Sequence, residues 1–216
     1  MKKALVVRGG WDGHEPVQTT DRFAAFLKEQ GYDVRVEDNM DVYTDKAYMD
    51  TVDLVVPCFT MAEITGEQKS GLMDAVAAGT GIAGWHGGMC DAFRLDTDYQ
   101  TMTGGQWVSH PGGCINYTVN ITDKNDPIMA GIEDFEMVET EQYYMHVDPI
   151  NQVLATTTFT GEYDDNNSKG AVMPVVWKKM WSKGKVFYSS LGHVNGDFDN
   201  DSARIIMERG LIWATR

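Results

Sequence analysis

Five histidines stand in this chain, and none lies in a plain amphipathic helix. His14 occurs in GGWDGHEP, His86 in AGWHGGMC, His110 in VSHPGG, His146 in YYMHVDP and His193 in SSLGHVNGDF. Each is flanked by Gly, Pro or Asp, the residues that mark turns and loops. His14, His86 and His193 each follow a segment that reads as a buried strand. They therefore fall at the carboxyl ends of strands, where open α/β sheets collect their ligands. Imidazole carries protons near neutral pH and ligates metals. A divalent metal on these three residues, zinc before others, is expected from that placement.

Gly84-Trp85-His86-Gly87-Gly88 is the strongest local pattern. A strand ends, one functional residue occupies the turn, and glycines follow, which is the mechanics of a nucleophile elbow. Glycines tolerate the tight turn, and N–H groups at the following helix start can hold developing negative charge. Trp85, Gly87 and Gly88 are accordingly expected to line a substrate site. A histidine at the elbow suits an acid, a base or a ligand; a satisfied turn histidine is the plain alternative. Cys90 lies four residues on, and His86-x3-Cys90 matches half a metal site. His110 and Cys114 repeat the spacing, but Pro111-Gly112-Gly113 opposes a helix there. Cys90 is read first as a buried apolar residue.

The loop around His14 lacks the order of a dinucleotide fingerprint and the lysine of a P-loop, and Asp12 and Glu15 would repel phosphate. No nucleotide cofactor is expected; a polar sugar or a metal suits it better. In ETEQYYMHVDP, Glu141 and Tyr143 fall two apart and are expected on one strand face, where a carboxylate and a phenol can bind a sugar hydroxyl or relay a proton. Ordinary packing of an edge strand is the alternative there. Asp148-Pro149 reads as turn chemistry.

Elements to position these residues are legible. Ala4–Arg8, Asp33–Glu37, Val52–Pro57 and Gly81–Trp85 read as strands. Val17–Gln30 and Glu67–Ala78 read as helices, ended by Gly31 and Gly79. Strand and helix alternate at short intervals, which predicts a doubly wound parallel sheet. The second half changes character. Asn116–Thr122, Phe135–Glu139 and Val153–Thr158 read as strands, and Met173–Trp177 with Lys185–Ser190 as a hairpin turning at Ser182-Lys183-Gly184. Asp199–Thr215 reads as a closing helix. One α/β domain over residues 1–216, with a β-rich excursion in its second half, is expected.

The bulk numbers narrow the partners. The 216 residues carry a net charge of −14 with 23% charged residues. Such a surface repels nucleic acid and anionic lipid. No apolar run approaches a membrane span, and the start resembles no secretory signal. Three widely spaced cysteines form no disulfide framework, so cytoplasm is the expected location. Thirteen methionines and six tryptophans leave room for an apolar self-association surface.

Taken together, GWHGGMCDAF, GGQWVSHPGG, ETEQYYMHVDP and WSKGKVFYSSLGH resemble the ThuA-like trehalose-utilisation family over nearly the whole chain. The resemblance implies the class I glutamine amidotransferase-like superfamily, a flavodoxin-like fold and a role in sugar catabolism. It departs from amidotransferases at the elbow, where His86 replaces the nucleophilic cysteine. The leading expectation is an enzyme acting on a small sugar or keto-sugar by proton transfer, in isomerisation, elimination or hydrolysis. His86, His14, His193, Glu141 and Tyr143 would be catalytic, with His110 at the rim holding substrate. A sugar-binding module without catalysis and a thiol hydrolase using Cys90 are the rivals.

Overall fold

The computed structural model describes residues 1–216. Five short segments pair in parallel: β1 (Lys3–Gly10), β2 (Asp33–Glu37), β3 (Leu54–Thr60), β4 (Gly81–Trp85) and β11 (Gly184–Ser189). Their order, β2-β1-β3-β4-β11, is the flavodoxin-like one, and the direction of winding reverses between β1 and β3. Four more strands extend the sheet antiparallel to nine: β10 (Val172–Trp181), β9 (Gln152–Thr158), β6 (Cys114–Ile121) and β7 (Phe135–Glu141). A separate two-stranded sheet joins β5 (Gly105–Ser109) to β8 (Tyr144–Val147).

Both faces of the inner parallel strands are covered, so they are apolar on both sides, whereas the edge strand β2 alternates, with Val34 and Val36 on the core and Asp33 and Arg35 exposed. In β1, Ala4 and Val6 face a core with Phe23 and Leu27 of α1 (Pro16–Glu29) and Ile206 and Leu211 of α6 (Asp201–Ala214). Leu5 and Val7 face the other core, with Leu72 and Val76 of α3 (Gly66–Ala78). Three short helices complete the chain: α2 (Lys46–Met49), α4 (His86–Cys90) and α5 (Thr97–Thr103). Side-chain caps fix helix starts. Thr65 and Gln68 form a reciprocal capping box on α3, and Asn200 accepts from Ser202 and Ala203 N–H groups on α6.

Two local features open space above the sheet. Pro57 lacks an N–H for a ladder, and β3 pairs with β4 only through Leu54 and Val55. Beyond that point the strands part, and α4 enters against β3, with Gly88 placed so that a Cβ would lie 2.8 Å from Cys58 Sγ. Likewise β6 pairs with β9 only through Asn120 and Ile121. The β6–β7 ribbon peels away and carries its far end back toward the parallel strand ends.

Differences from the sequence reading are mostly of extent. β3 starts two residues late and runs on to Thr60, and β7 continues to Glu141. The α5 helix and the β5–β8 pair are additional; both are too short to show a period.

Candidate active site

Four neighbouring parallel strands each deliver a residue at their carboxyl ends. After β1 the chain makes one 3-10 turn, Asp12–His14, that buries His14. Its Nδ1 lies 2.9 Å from Thr60 Oγ1 at the end of β3. The two strand ends come close because Gly10, at φ +80°, has no Cβ; one would sit 2.2 Å from the Thr60 carbonyl oxygen. After β4 comes His86, fully buried at φ +44°. A left-handed conformation is costly for a side-chain-bearing residue and concentrates at functional positions. Nδ1–H of His86 donates to the Ser190 carbonyl oxygen at 2.8 Å, which ties β4 to the end of β11. After β11, Gly192 (φ +97°) turns the chain over the Phe198 ring and His193 follows.

The ribbon supplies the centre. Glu141, the last residue of β7, is buried among these rings. Its Oε2 lies 3.1 Å from His86 Nε2, 3.4 Å from His193 Nδ1 and 3.9 Å from His14 Nε2. Its Oε1 lies 3.5 Å from His110 Nε2, whose side chain is about one-third exposed. The Tyr143 ring stacks on His86 with centroids 3.8 Å apart. Glu141 and Tyr143 do not share a strand face as expected: Gln142 and Tyr143 form the link where the chain leaves β7 for β8. Leaving the strand turns both side chains to the site.

Protonation states follow from burial and neighbours. Burial, with the other imidazoles, pushes His14 down to about 3. Burial also lowers His86, against the pull of Glu141. Burial works against ionisation of Glu141, but His193 and His86 hold its carboxyl well below the ordinary carboxylate range. Burial opposes charge on His193 too, yet Glu141 raises it above the usual imidazole value. Burial lifts the Tyr143 phenol far above its ordinary range.

These states set lone pairs against one another. Neutral His86 spends its proton on Ser190, so its Nε2 lone pair faces the ionised Oε2 of Glu141. Nδ1 of His193, buried, has Oε2 of Glu141 at 3.4 Å as its neighbour. A lone pair facing a carboxylate calls for positive charge beside them, which a protonated His193 supplies and a bound cation could supply instead. His14, His86, His193 and Glu141 place one donor atom each within 4.8 Å of one another. Bonds of 2.0–2.2 Å in a tetrahedron space donors about 3.3 Å apart, and Glu141 stands at 3.1 and 3.4 Å from two imidazoles. Three nitrogens and one carboxylate oxygen suit zinc among common divalent ions. Thr60 and Ser190 would orient two of the rings, as outer partners of ligating histidines do.

The family model for trehalose utilisation, ThuA, matches residues 3–214. The chain belongs to the ThuA family. Solved structures agree on the fold. A ThuA-like protein from Bacteroides uniformis superposes with a TM-score of 0.80 at 15% identity, covering 99% of this chain and 91% of that one. One from Parabacteroides merdae gives 0.75 at 18%, covering 99% and 89%. A GMP synthase component from Thermoplasma acidophilum gives 0.52 at 15%, covering 99% and 98%, which is the glutamine amidotransferase-like architecture. No functionally curated protein matches the sequence. Family membership connects the chain with carbohydrate metabolism. No helix is long and apolar enough to cross a membrane.

Within this ThuA fold the amidotransferase nucleophile has no counterpart. Cys90 is buried in the core against α5, and burial pushes its thiol far up. Cys58 is buried as well and pushed up to about 12. Neither offers a thiolate near neutral pH, which weighs against a thiol hydrolase.

Other expected residues separate. His110 reaches the cluster at its edge, whereas His146 is exposed on β8 and takes no part. Trp85 is not a substrate contact: it is 1% exposed and packs on Phe23 and Phe198 beneath the sheet. The pleat explains this, because the side chain preceding the elbow points to the opposite face. Gly87 acts by lacking a side chain; a Cβ there would meet His14 Cε1 at 2.5 Å and the Tyr143 hydroxyl at 3.0 Å. Sequence reasoning does not reach Thr60 or Trp11. Thr60 nonetheless obeys the same strand-end rule as the histidines. Trp11 is 46% exposed, with its ring edge-on to His14 at 4.7 Å.

Proposed function

We propose that this protein is an enzyme of carbohydrate catabolism that moves a proton beside a carbonyl or glycosidic carbon of a small sugar or keto-sugar, at a divalent-metal site. The observation that carries the reading is the convergence of His14, His86 and His193, from three strand ends, on the single buried carboxylate of Glu141. Those four residues would hold the ion, with zinc the best fit to their donor atoms. Bound there, the ion would supply Lewis acidity toward a sugar carbonyl or hydroxyl oxygen.

The chain's own residues supply the rest. His110, partly exposed beside Oε1 of Glu141, is placed to pass a proton between substrate and solvent. Tyr143 holds the His86 ring by stacking, and its phenol stays protonated and so remains a hydrogen-bond donor. Trp11 on one side and Trp107, at 5.7 Å from His110, on the other offer aromatic surface for the apolar face of a sugar ring.

Elemental analysis of the purified protein, followed by incubation with a panel of 3-keto-glycosides, tests the reading. About one equivalent of a divalent metal and conversion of a panel member are expected. His86→Ala should then lower turnover by at least the ~10² to 10⁴ typical of positioned acid–base groups. Full activity of that variant on the converted substrate would remove the assignment.

A further inference from the structure

His193 and Glu141 come from strands that never touch. Between β11 and β7 the sheet order places β10, β9 and β6. No ladder sets the spacing of these two groups, yet they stand 3.4 Å apart. Asp197 bridges them. Its Oδ2 accepts from the backbone N–H of His193 at 2.9 Å and from the hydroxyl of Thr140, the residue before Glu141, at 2.6 Å. The same segment is tied elsewhere. Glu15, next to His14, accepts from the Asn195 N–H at 2.8 Å. From α1, Arg22 donates to the Asn195 side chain and to Asp199, each at 2.8 Å.

We infer that Asp197 is a positioning residue that sets the spacing between His193 and Glu141 and so readies the donor set for a divalent cation. The inference rests on the metal reading above. Glu15 and Arg22 hold the loop to α1, and Asn200 donates to the Glu136 carbonyl oxygen near the start of β7 at 3.0 Å; Asp197 makes the bond at the end of β7 that bears Glu141. One carboxylate oxygen receives both donors, using its two lone pairs. Asparagine can present the same acceptor through its amide oxygen; alanine cannot. Without the bridge, the His193 loop is no longer fixed to the end of β7 that carries Glu141, that loop must be ordered when the cation binds, and affinity must fall.

Zinc titration of metal-stripped protein against a chromophoric chelator tests this, with cobalt substitution to read coordination by its visible absorption. Asp197→Ala should bind zinc about 10- to 100-fold more weakly, the usual cost of losing an outer-shell partner. Its cobalt spectrum should change in position or intensity. Asp197→Asn should restore both toward wild type, a rescue that loss of bulk packing would not produce. Thr140→Val, which removes one of the two donors, should cost about fivefold, and it carries the test if Asp197→Ala does not fold. Unchanged zinc affinity and cobalt spectrum in folded Asp197→Ala, or unchanged affinity in Thr140→Val if the alanine variant is lost, overturn the positioning role. A wild-type protein that takes up neither ion overturns the metal reading, and this inference with it, and is told apart by that result alone.

Discussion

At the scale of single residues, His86 shows why an elbow matters. Its left-handed backbone and its bond to Ser190 leave Nε2 no direction but toward Glu141. Gly87 is the complementary case, where the absence of an atom is the function. Adding a Cβ at Gly87 brings carbon to 2.5 Å from His14, and real packing does not tolerate that distance. Gly87→Ala should therefore displace the His14 ring, weaken metal retention and lower turnover, while circular dichroism stays that of the wild type. Full retention of metal would show that His14 is dispensable to the donor set. Trp11 makes a different prediction. It touches no reacting group of the chain except through the His14 ring edge, so Trp11→Ala should raise KM for a sugar substrate more than it lowers kcat. An equal fall in kcat with KM unchanged would mean that it orders His14 rather than binds substrate. Thiols give a third check. Cys58 and Cys90 are buried, with their pKa values pushed up, while Cys114 is exposed. Iodoacetamide should modify Cys114 in the folded protein and spare the other two, as intact mass with peptide mapping would read out.

At the scale of elements, the site depends on strand ends being brought to one level and on α6 holding β11 there. Gly210 of α6 lies so close to the sheet that a Cβ would meet the Phe187 ring at 2.1 Å. Gly210→Ala should cost about 1–3 kcal/mol through overpacking, measurable as a lower midpoint in urea with an unchanged slope. A neutral result would mean that α6 can slide without cost. The element scale also explains what could be read in advance. The parallel half announces itself through short apolar runs, helical spacing and glycine stops, so the three histidines could be assigned to strand ends from sequence. The rest depends on long-range geometry. Nothing local says that β6 leaves β9 after two pairs, yet this is what brings Glu141 back to the histidines. Trp85 misleads because a residue beside an elbow looks functional, whereas the pleat turns it into the core. Asp197 is invisible in sequence because its two partners are 4 and 57 residues away in the chain.

At the scale of the whole molecule, the cluster links ligand binding to folding. Three imidazoles and a carboxylate are gathered where water is scarce, and the fold must carry that arrangement with or without an ion. For His14 the folded value is about 3 against an ordinary 6.5. The unfolded chain therefore binds more protons across that window, and stability rises with pH there. The contribution of His14 is complete above 6.5 and is lost as pH falls toward 3. Glu141, lowered in the fold, acts in the same direction once pH drops below its ordinary range. His193, raised in the fold, opposes them: its contribution is present at lower pH and fades as pH climbs through its folded value. Because the His14 window runs from 6.5 down to about 3, metal-stripped protein should melt at progressively lower temperature from pH 7 to pH 4. His14→Gln, which cannot be protonated, should flatten that slope. A bound ion steepens the dependence through His193, the one imidazole of the set whose proton the fold holds more tightly than usual and with which the ion must compete. An ion present at about a hundred times its dissociation constant adds about 2.7 kcal/mol. For a chain of this length that corresponds to about 5–11 °C in Tm, so a chelator should lower Tm by that amount at pH 7 and by progressively less toward pH 5. A chelator shift that stays constant across this range would mean that His193 is not among the ligands, since burial already disfavours protons on His14 and His86.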